Sequence, residues 1–261
     1  MSAAAILPRR NVSRIYALEA KYEFLKLWRI PAFVLPTLGY APVFYLLFGF
    51  AIKGPDRALR AVYLLATYGA FGVIGAALFC LGNGVATERG QGWMLWKRST
   101  PMPTSAYLAA KAAVALAFAS ILVAVLFTLG ATLGGVRLPL ATWAELAAVL
   151  IAGAIPFCAV GLALGYLAGP NSAPAVINLI YLPASLLSGL WLPIHMLPRV
   201  LQNVAVWLPP YHFGQLALRV LGLAREGGSG WVDAAALAAT AVAGLAAAAV
   251  LMRRDDGRTY G

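Results

Sequence analysis

Long apolar runs recur along the chain and restrict what it can fold into. A helix needs about 20 mainly apolar residues to cross a hydrocarbon layer about 30 Å thick. Six stretches meet that requirement, at about 31 to 52, 61 to 83, 106 to 133, 144 to 168, 174 to 194 and 232 to 252. Only 11% of the 261 residues are charged, whereas soluble domains carry about 25%. The sequence therefore predicts an all-α membrane protein with six transmembrane helices.

Two segments outside these runs carry weaker patterns. Residues 11 to 30 have helical periodicity with two apolar stripes separated by charges, which predicts an N-terminal amphipathic interface helix. A solvated helix is the alternative. Residues 197 to 223 alternate apolar residues with prolines, and irregular backbone at membrane depth survives only inside protein or beside a wet cavity. We expect short re-entrant helices there, with a plain external loop as the alternative.

The distribution of lysine and arginine predicts the orientation. Basic residues are more numerous in residues 1 to 30, in the loop at 84 to 105 and after residue 252 than in the other connecting segments. Because cytoplasmic segments carry the excess of basic residues, both termini and this loop are predicted to be cytoplasmic. The predicted domains are a cytoplasmic N-terminus with the interface helix (1–30), a transmembrane domain (31–252) and a cytoplasmic tail (253–261).

Groups that would power transport are scarce. The sequence has no G-x-x-x-x-G-K-[ST] phosphate loop, and few ionisable groups lie well inside a span, where ion-driven carriers place theirs. Energy for active transport would therefore come from another polypeptide. Cys80 and Cys158 lie in apolar runs, so we infer no metal site. The net charge of +11 is spread between apolar runs, which favours membrane lipids over nucleic acid as the counterions.

An intramembrane hydrolase is an alternative of a different class. Ser185, Ser188, His195 and His212 lie near one another in the sequence, and a serine nucleophile needs a base within hydrogen-bonding reach. His195 lies about two helical turns, roughly 10 Å, beyond Ser188, and His212 reaches it only through a fold-back. Serines that ease helix packing and interfacial histidines are the simpler interpretation.

Glycines recur at helical spacing in two spans and predict close helix packing. They are Gly161, Gly165 and Gly169 in span four and Gly69, Gly72 and Gly75 in span two. The spacing leaves open whether the partner helix belongs to this chain or to a second copy.

The loop after span two is where the chain can meet a soluble partner. It reads Glu88-Arg89-Gly90-Gln91-Gly92-Trp93-Met94-Leu95-Trp96-Lys97-Arg98. A short apolar patch with charged flanks can place large side chains in the groove of a partner. Tryptophans resting among lipid headgroups are the alternative.

The order of these features resembles the type-2 ABC exporter permeases over nearly the whole chain. The resemblance rests on the N-terminal helix, the six spans, the Glu88-Arg89-x-x-Gly92 loop ending in Thr100-Pro101, and a fifth span with Ser188-Gly189 and Pro193 ahead of Pro209-Pro210-Tyr211-His212. The loop departs from the family pattern at Gly92-Trp93-Met94-Leu95, where glycine, threonine, leucine and an acidic residue are usual.

This resemblance implies a permease subunit of an exporter in the bacterial inner membrane, not itself an enzyme. A separate ABC ATPase would bind ATP and Mg, with no cofactor on this chain. The resemblance also implies a homodimer of the permease and an amphipathic cargo such as a drug, a lipid or a lipid-linked glycan. A non-transporting membrane scaffold is a further alternative.

The resemblance also implies which residues act, with no catalytic residue or metal ligand among them. Contact with the ATPase is assigned to the interface helix and the loop after span two, through Glu19, Glu23, Lys26, Glu88, Arg89, Gly90, Gly92, Trp93, Trp96, Lys97 and Arg98. Spans two and five are expected to line the substrate pathway, with the polar candidates Tyr68, Asn83, Asn178, Tyr181, Ser185 and Ser188.

Overall fold

Helices make up all the regular structure in the computed structural model, which describes residues 12–51, 57–93, 104–225 and 227–255. The α-helices are α1 Val12–Trp28, α2 Pro31–Leu46, α3 Arg57–Leu78, α4 Gly84–Gly90, α5 Thr104–Thr132, α6 Leu140–Ala152, α7 Ala154–Leu167, α8 Ala173–Leu187, α9 Arg199–Ala205, α10 Pro209–Val220 and α11 Gly230–Asp255. The π-helical turn Leu47–Ala51 continues α2, and a second one, Phe79–Asn83, joins α3 to α4. The predicted all-α class is confirmed for the described residues.

Five helices in the described ranges are long and apolar enough to cross a membrane. They are Pro31–Gly49, Arg57–Gly90, Ser105–Thr132, Leu140–Leu167 and Gly230–Arg254. The predicted fifth span coincides with α8, which is apolar but only 15 residues long. The chain leaves the helix at Gly189, whose φ of +76° is a left-handed conformation that favours glycine and ends α-helices. The count of six spans therefore stays a prediction.

Helix α3 forms the centre of the bundle. Of an 18-residue apolar stretch in the span Arg57–Gly90, 94% is buried because α2, α5, α7 and α10 pack around the helix. Phe71 of α3 stacks on Tyr181 of α8 with ring centroids 4.9 Å apart, and it meets Trp191 edge to face at 5.5 Å. The Tyr181 hydroxyl also donates a hydrogen bond of 2.7 Å to the carbonyl of Phe71. These contacts hold α8 against α3.

The glycine row of span four packs against span two of the same chain. A Cβ atom on Gly161 would lie 3.1 Å from the carbonyl oxygen of Ala77, and one on Gly165 would lie 2.8 Å from that of Gly82. Both neighbours are backbone atoms, so α7 approaches span two closely. In span two, side chains of neighbouring helices lie against Gly69, Gly72 and Gly75. The predicted close helix packing is confirmed, and the helix that packs against Gly161 and Gly165 belongs to the same chain.

Helix α1 packs lengthwise along the first half of α5. The hydroxyls of Tyr16 and Ser105 hydrogen-bond at 2.8 Å, and the rings of Phe24 and Phe118 have centroids 5.4 Å apart. The two helices therefore run in the same direction. Helix α5 has 29 residues, more than the ~20 that the hydrocarbon layer needs, so it is long enough to cross that layer and extend beyond it. The N-terminal helix is thus present and built onto a span.

Two short helices, α9 and α10, lie in the region predicted to be re-entrant. Helix α10 packs where the long helix Leu140–Leu167 is interrupted, and a Cβ atom on Gly153 would lie only 2.0 Å from the Phe213 ring. The prediction that these helices dip into one leaflet stays a prediction.

Candidate functional site: a charge cluster that joins three helices

Four charged side chains from three helices meet near the end of span two. Helix α1 supplies Glu23 and Lys26, α4 supplies Glu88, and α5 supplies Lys111. Lys111 Nζ donates to Glu23 Oε1 at 2.6 Å and to Glu88 Oε1 at 3.1 Å. Lys26 Nζ donates to Glu23 Oε2 at 2.9 Å and also to Glu88. Each ammonium contacts both carboxylates, so the four groups form a closed and charge-balanced ring, called here the charge cluster.

The charge cluster is largely withdrawn from water. The side chains of Lys111, Glu88 and Glu23 are 1%, 5% and 7% exposed. Tyr107, one turn before Lys111, donates its hydroxyl to Glu88 Oε2 at 2.7 Å. Buried charges are tolerated when they are paired and hydrogen-bonded, and removing one partner leaves the other uncompensated. These contacts therefore fix α1, α4 and α5 relative to one another.

Lys26 lies at the rim of the cluster, with a side chain that is 33% exposed. Burial lowers the pKa of Lys26, but the carboxylates of Glu88 and Glu23 outweigh it and raise that pKa above its ordinary value. The ammonium also lies 5.8 Å from the centroid of the Trp93 ring, within range of a cation–π contact. Lys26 thus stays charged at neutral pH and links the cluster to Trp93.

Sequence spacing explains why these elements supply these groups. Glu23 and Lys26 lie three residues apart, and so on one face of α1. Glu88 lies at the end of the 34-residue helix Arg57–Gly90, which exceeds the ~20 residues that the hydrocarbon layer needs. The functional candidates predicted from the sequence did not include Lys111 and Tyr107. Their i, i+4 spacing at the start of span three is the signal that could have found them.

The loop predicted at residues 84 to 105 begins later than expected. Helix α4 continues span two as far as Gly90, and Glu88 and Arg89 are only 4% and 7% exposed. The helix can continue because the ammonium groups of α1 and α5 neutralise Glu88. Neither side chain is exposed in this structure, and their assignment to the ATPase contact stays a prediction.

The remaining residues predicted to contact an ATPase lie either around the charge cluster or outside the described residues. Trp93 follows α4 and is 49% exposed. Gly92 before it has a φ of +73°, and Glu19 of α1 is half-buried. Trp96, Lys97 and Arg98 lie outside the described residues.

Three of the six predicted pathway residues line one groove. This groove has a volume of about 320 Å³ and lies between α2, α3 and α8. Its lining residues include Asn83, Asn178 and Tyr181, together with Thr37 and Tyr40 of α2. The rest of its wall is mainly apolar and aromatic. Such a surface suits a ligand with both apolar and hydrogen-bonding parts.

The other three predicted pathway residues lie outside this groove. Tyr68 is 1% exposed and donates its hydroxyl to the carbonyl of Trp191 at 3.2 Å. Ser185 and Ser188 are 0% and 4% exposed, and their Oγ atoms have no hydrogen-bond partner among the described residues. In this conformation the three side chains pack helices together.

The serine–histidine pairs considered for a hydrolase do not form in the described structure. His212 Nδ1 lies 2.8 Å from Asp233 Oδ1, and its Nε2 lies 3.0 Å from the carbonyl oxygen of Val206. His195 is exposed, while Ser188 is buried without a partner. Among the described residues, neither histidine is therefore positioned as a base to activate either serine.

Comparisons with known proteins agree on one family. The family model described as "ABC-2 type transporter" matches residues 16–221. A protein of Bacillus subtilis (strain 168) described as "Putative transport permease YvfS" is 30% identical over 211 residues, which cover 80% of this chain and 85% of the relative.

Proposed function

The chain belongs to the ABC-2 type transporter family, and from that premise we propose that it is the permease subunit of an ATP-driven exporter whose ATPase is a separate polypeptide. The missing phosphate loop supports an external source of energy. The proposal places six spans in the bacterial inner membrane, with α8 as the short fifth span and both termini in the cytoplasm. The distribution of basic residues supports that orientation.

The charge cluster is the observation that carries this proposal. Resemblance assigns the ATPase contact to two separate segments, the N-terminal helix and the region after span two. Lys26 of the first segment donates a hydrogen bond to Glu88 of the second. Lys111 donates to Glu23 and to Glu88, and so bridges the two carboxylates. A displacement imposed at either segment by an ATPase would therefore move α1, α4 and the start of α5 together.

The groove between α2, α3 and α8 is the proposed path for the cargo. Its mixture of aromatic walls and amide groups supports an amphipathic substrate, such as a drug, a lipid or a lipid-linked glycan. In the proposed homodimer, two copies of this groove would face one another across the dimer axis. ATP binding would bring the two ATPases together and move the bundles as rigid bodies.

Replacing Trp93 with alanine is expected to weaken binding of the ATPase about tenfold, because exposed aromatic anchors carry much of the affinity at interfaces. Biolayer interferometry of the co-purifying ATPase on permease in lipid nanodiscs measures this affinity. Trp207→Ala is the matched control, since Trp207 is 84% exposed and lies in the segment proposed to face the outside. Equal affinities for the two variants would contradict the proposed contact.

Replacing Asn178 with leucine is expected to reduce transport about fivefold, the effect of one lost hydrogen bond of roughly 1 kcal/mol. Proteoliposomes that hold the permease and its ATPase, loaded with a fluorescent phospholipid analogue or a cationic amphipathic dye, give the rate. Leu179→Ala is the control, because Leu179 is the next residue of α8, is 75% exposed and does not line the groove. A variant that transports both probes as fast as the control would exclude Asn178 from the pathway.

A further inference from the structure

Arg89 points away from the charge cluster and binds the end of another helix. Its Nη1 donates to the carbonyl of Gly165 at 3.0 Å and also to that of Tyr166, and its Nη2 donates to the carbonyl of Ala168 at 3.4 Å. The guanidinium carbon lies 5.9 Å from the centroid of the Tyr166 ring. Arg89 therefore connects α4 with the C-terminal end of α7, although 76 residues separate it from Gly165.

The chemistry of a helix end explains this contact. The last four carbonyls of an α-helix have no partner within the helix, and they form the negative end of its dipole. Helix α7 ends at Leu167, and Ala168 is extended. A guanidinium offers five N–H donors and a positive charge, so Arg89 satisfies several of these carbonyls at once.

The same end of α4 also contacts the segment that leads into α8. A Cβ atom on Gly90 would lie 2.5 Å from Cγ of Pro170, so the backbone of α4 lies directly against this segment. Ala86 of α4, Ala168 and Ala173 form a small buried cluster, and Ala173 is the first residue of α8. A movement of α4 therefore acts on the N-terminal end of α8 through three separate contacts.

We propose that Arg89 is a positioning residue that transmits movement of α4 to the start of α8. The inference rests on the proposed function, since it requires an ATPase that moves α4. It assigns Arg89 a contact within the chain in place of a contact with the ATPase. Helix α8 forms one wall of the groove, so Arg89 couples the charge-cluster end of span two to the wall that faces the cargo.

Hydrogen exchange in the complete complex of permease and ATPase tests this coupling. In the unaltered protein, ATP with a hydrolysis-deficient ATPase is expected to change amide exchange in residues 84–93 and also in residues 168–178. In Arg89→Met the change at 84–93 persists, while that at 168–178 falls about tenfold, the factor for one lost hydrogen bond to a charged group. Arg89→Lys keeps the charge with fewer donors and is expected to give an intermediate change.

Two further variants keep the test decisive. Gly90→Ala pushes against Pro170 and leaves Arg89 in place, so it tests the second contact of α4 with the segment before α8 and should also reduce the response at 168–178. Arg89→Lys serves as the test of Arg89 if Arg89→Met fails to fold. Arg137→Met, at an exposed arginine between α5 and α6, should leave both responses unchanged. If neither segment responds to ATP in the unaltered complex, the proposed function fails. If 168–178 still responds fully in Arg89→Met, or in Arg89→Lys where the methionine variant does not fold, the role of Arg89 is overturned.

Discussion

Replacing Lys111 with methionine is expected to destabilise the permease by about 3–5 kcal/mol, the typical effect of breaking a buried ion pair by removing one partner. The Lys111 side chain is 1% exposed, and its Nζ donates to Glu23 and Glu88. Without that ammonium, two largely buried carboxylates would lose a cation that both of them contact. The change should lower the thermal midpoint of the detergent-solubilised protein by roughly 10 °C.

A matched control and a rescue variant separate charge balance from simple loss of a lysine. Lys21→Met removes an exposed cation from α1. The Lys21 side chain has no ion pair in the described structure, so the change should shift the midpoint by less than about 2 °C. Lys111→Met combined with Glu23→Gln restores the balance of charges and should recover part of the loss. A single Lys111→Met variant as stable as Lys21→Met would show that the cluster does not hold the helices together.

The spans were predictable from the sequence because burial in lipid demands long apolar runs whatever the tertiary structure. Their ends were less predictable. Span two was expected to stop near residue 83, yet its helix runs to Gly90, since charges from α1 and α5 compensate Glu88. Span five was expected to reach residue 194, but α8 stops at Leu187 where Gly189 turns left-handed. The first difference arises from contacts between helices and the second from backbone conformation, and hydropathy reports neither.

The candidate site was only partly predictable for a related reason. Resemblance selected Glu23, Lys26 and Glu88, but nothing in their spacing indicates that they meet, because Lys26 and Glu88 lie 62 residues apart. Lys111, which completes the ring, lies in an apolar context, and its i, i+4 spacing from Tyr107 does not indicate which helices it meets. Arg89 was selected for a surface role, whereas the free carbonyls of α7 that attract it exist only once that helix has ended beside α4.

Replacing Gly165 with alanine is expected to destabilise the fold by about 1–2 kcal/mol, even though alanine favours a helix interior by up to about 1 kcal/mol over glycine. The added methyl group would lie 2.8 Å from the carbonyl oxygen of Gly82 and 3.2 Å from that of Leu81. Backbone oxygens cannot rotate away as side chains do, so α7 and span two would have to separate. Thermal unfolding of the purified protein measures the loss.

Gly169→Ala is the matched control for this packing, because the only neighbour within 4 Å of its added methyl group in the described structure is Ser172 Oγ, at 3.5 Å. It should leave stability within about 0.5 kcal/mol of the unaltered protein. Gly72→Ala is expected to destabilise at least as much as Gly165→Ala, since its added methyl group would lie 2.3 Å from Leu122 Cδ2 and 2.8 Å from Ala41 Cβ, which cannot rotate away. Equal stability of all three variants would mean that α7 does not approach the span-two backbone, and the Arg89 contact at the end of α7 would lose its structural basis.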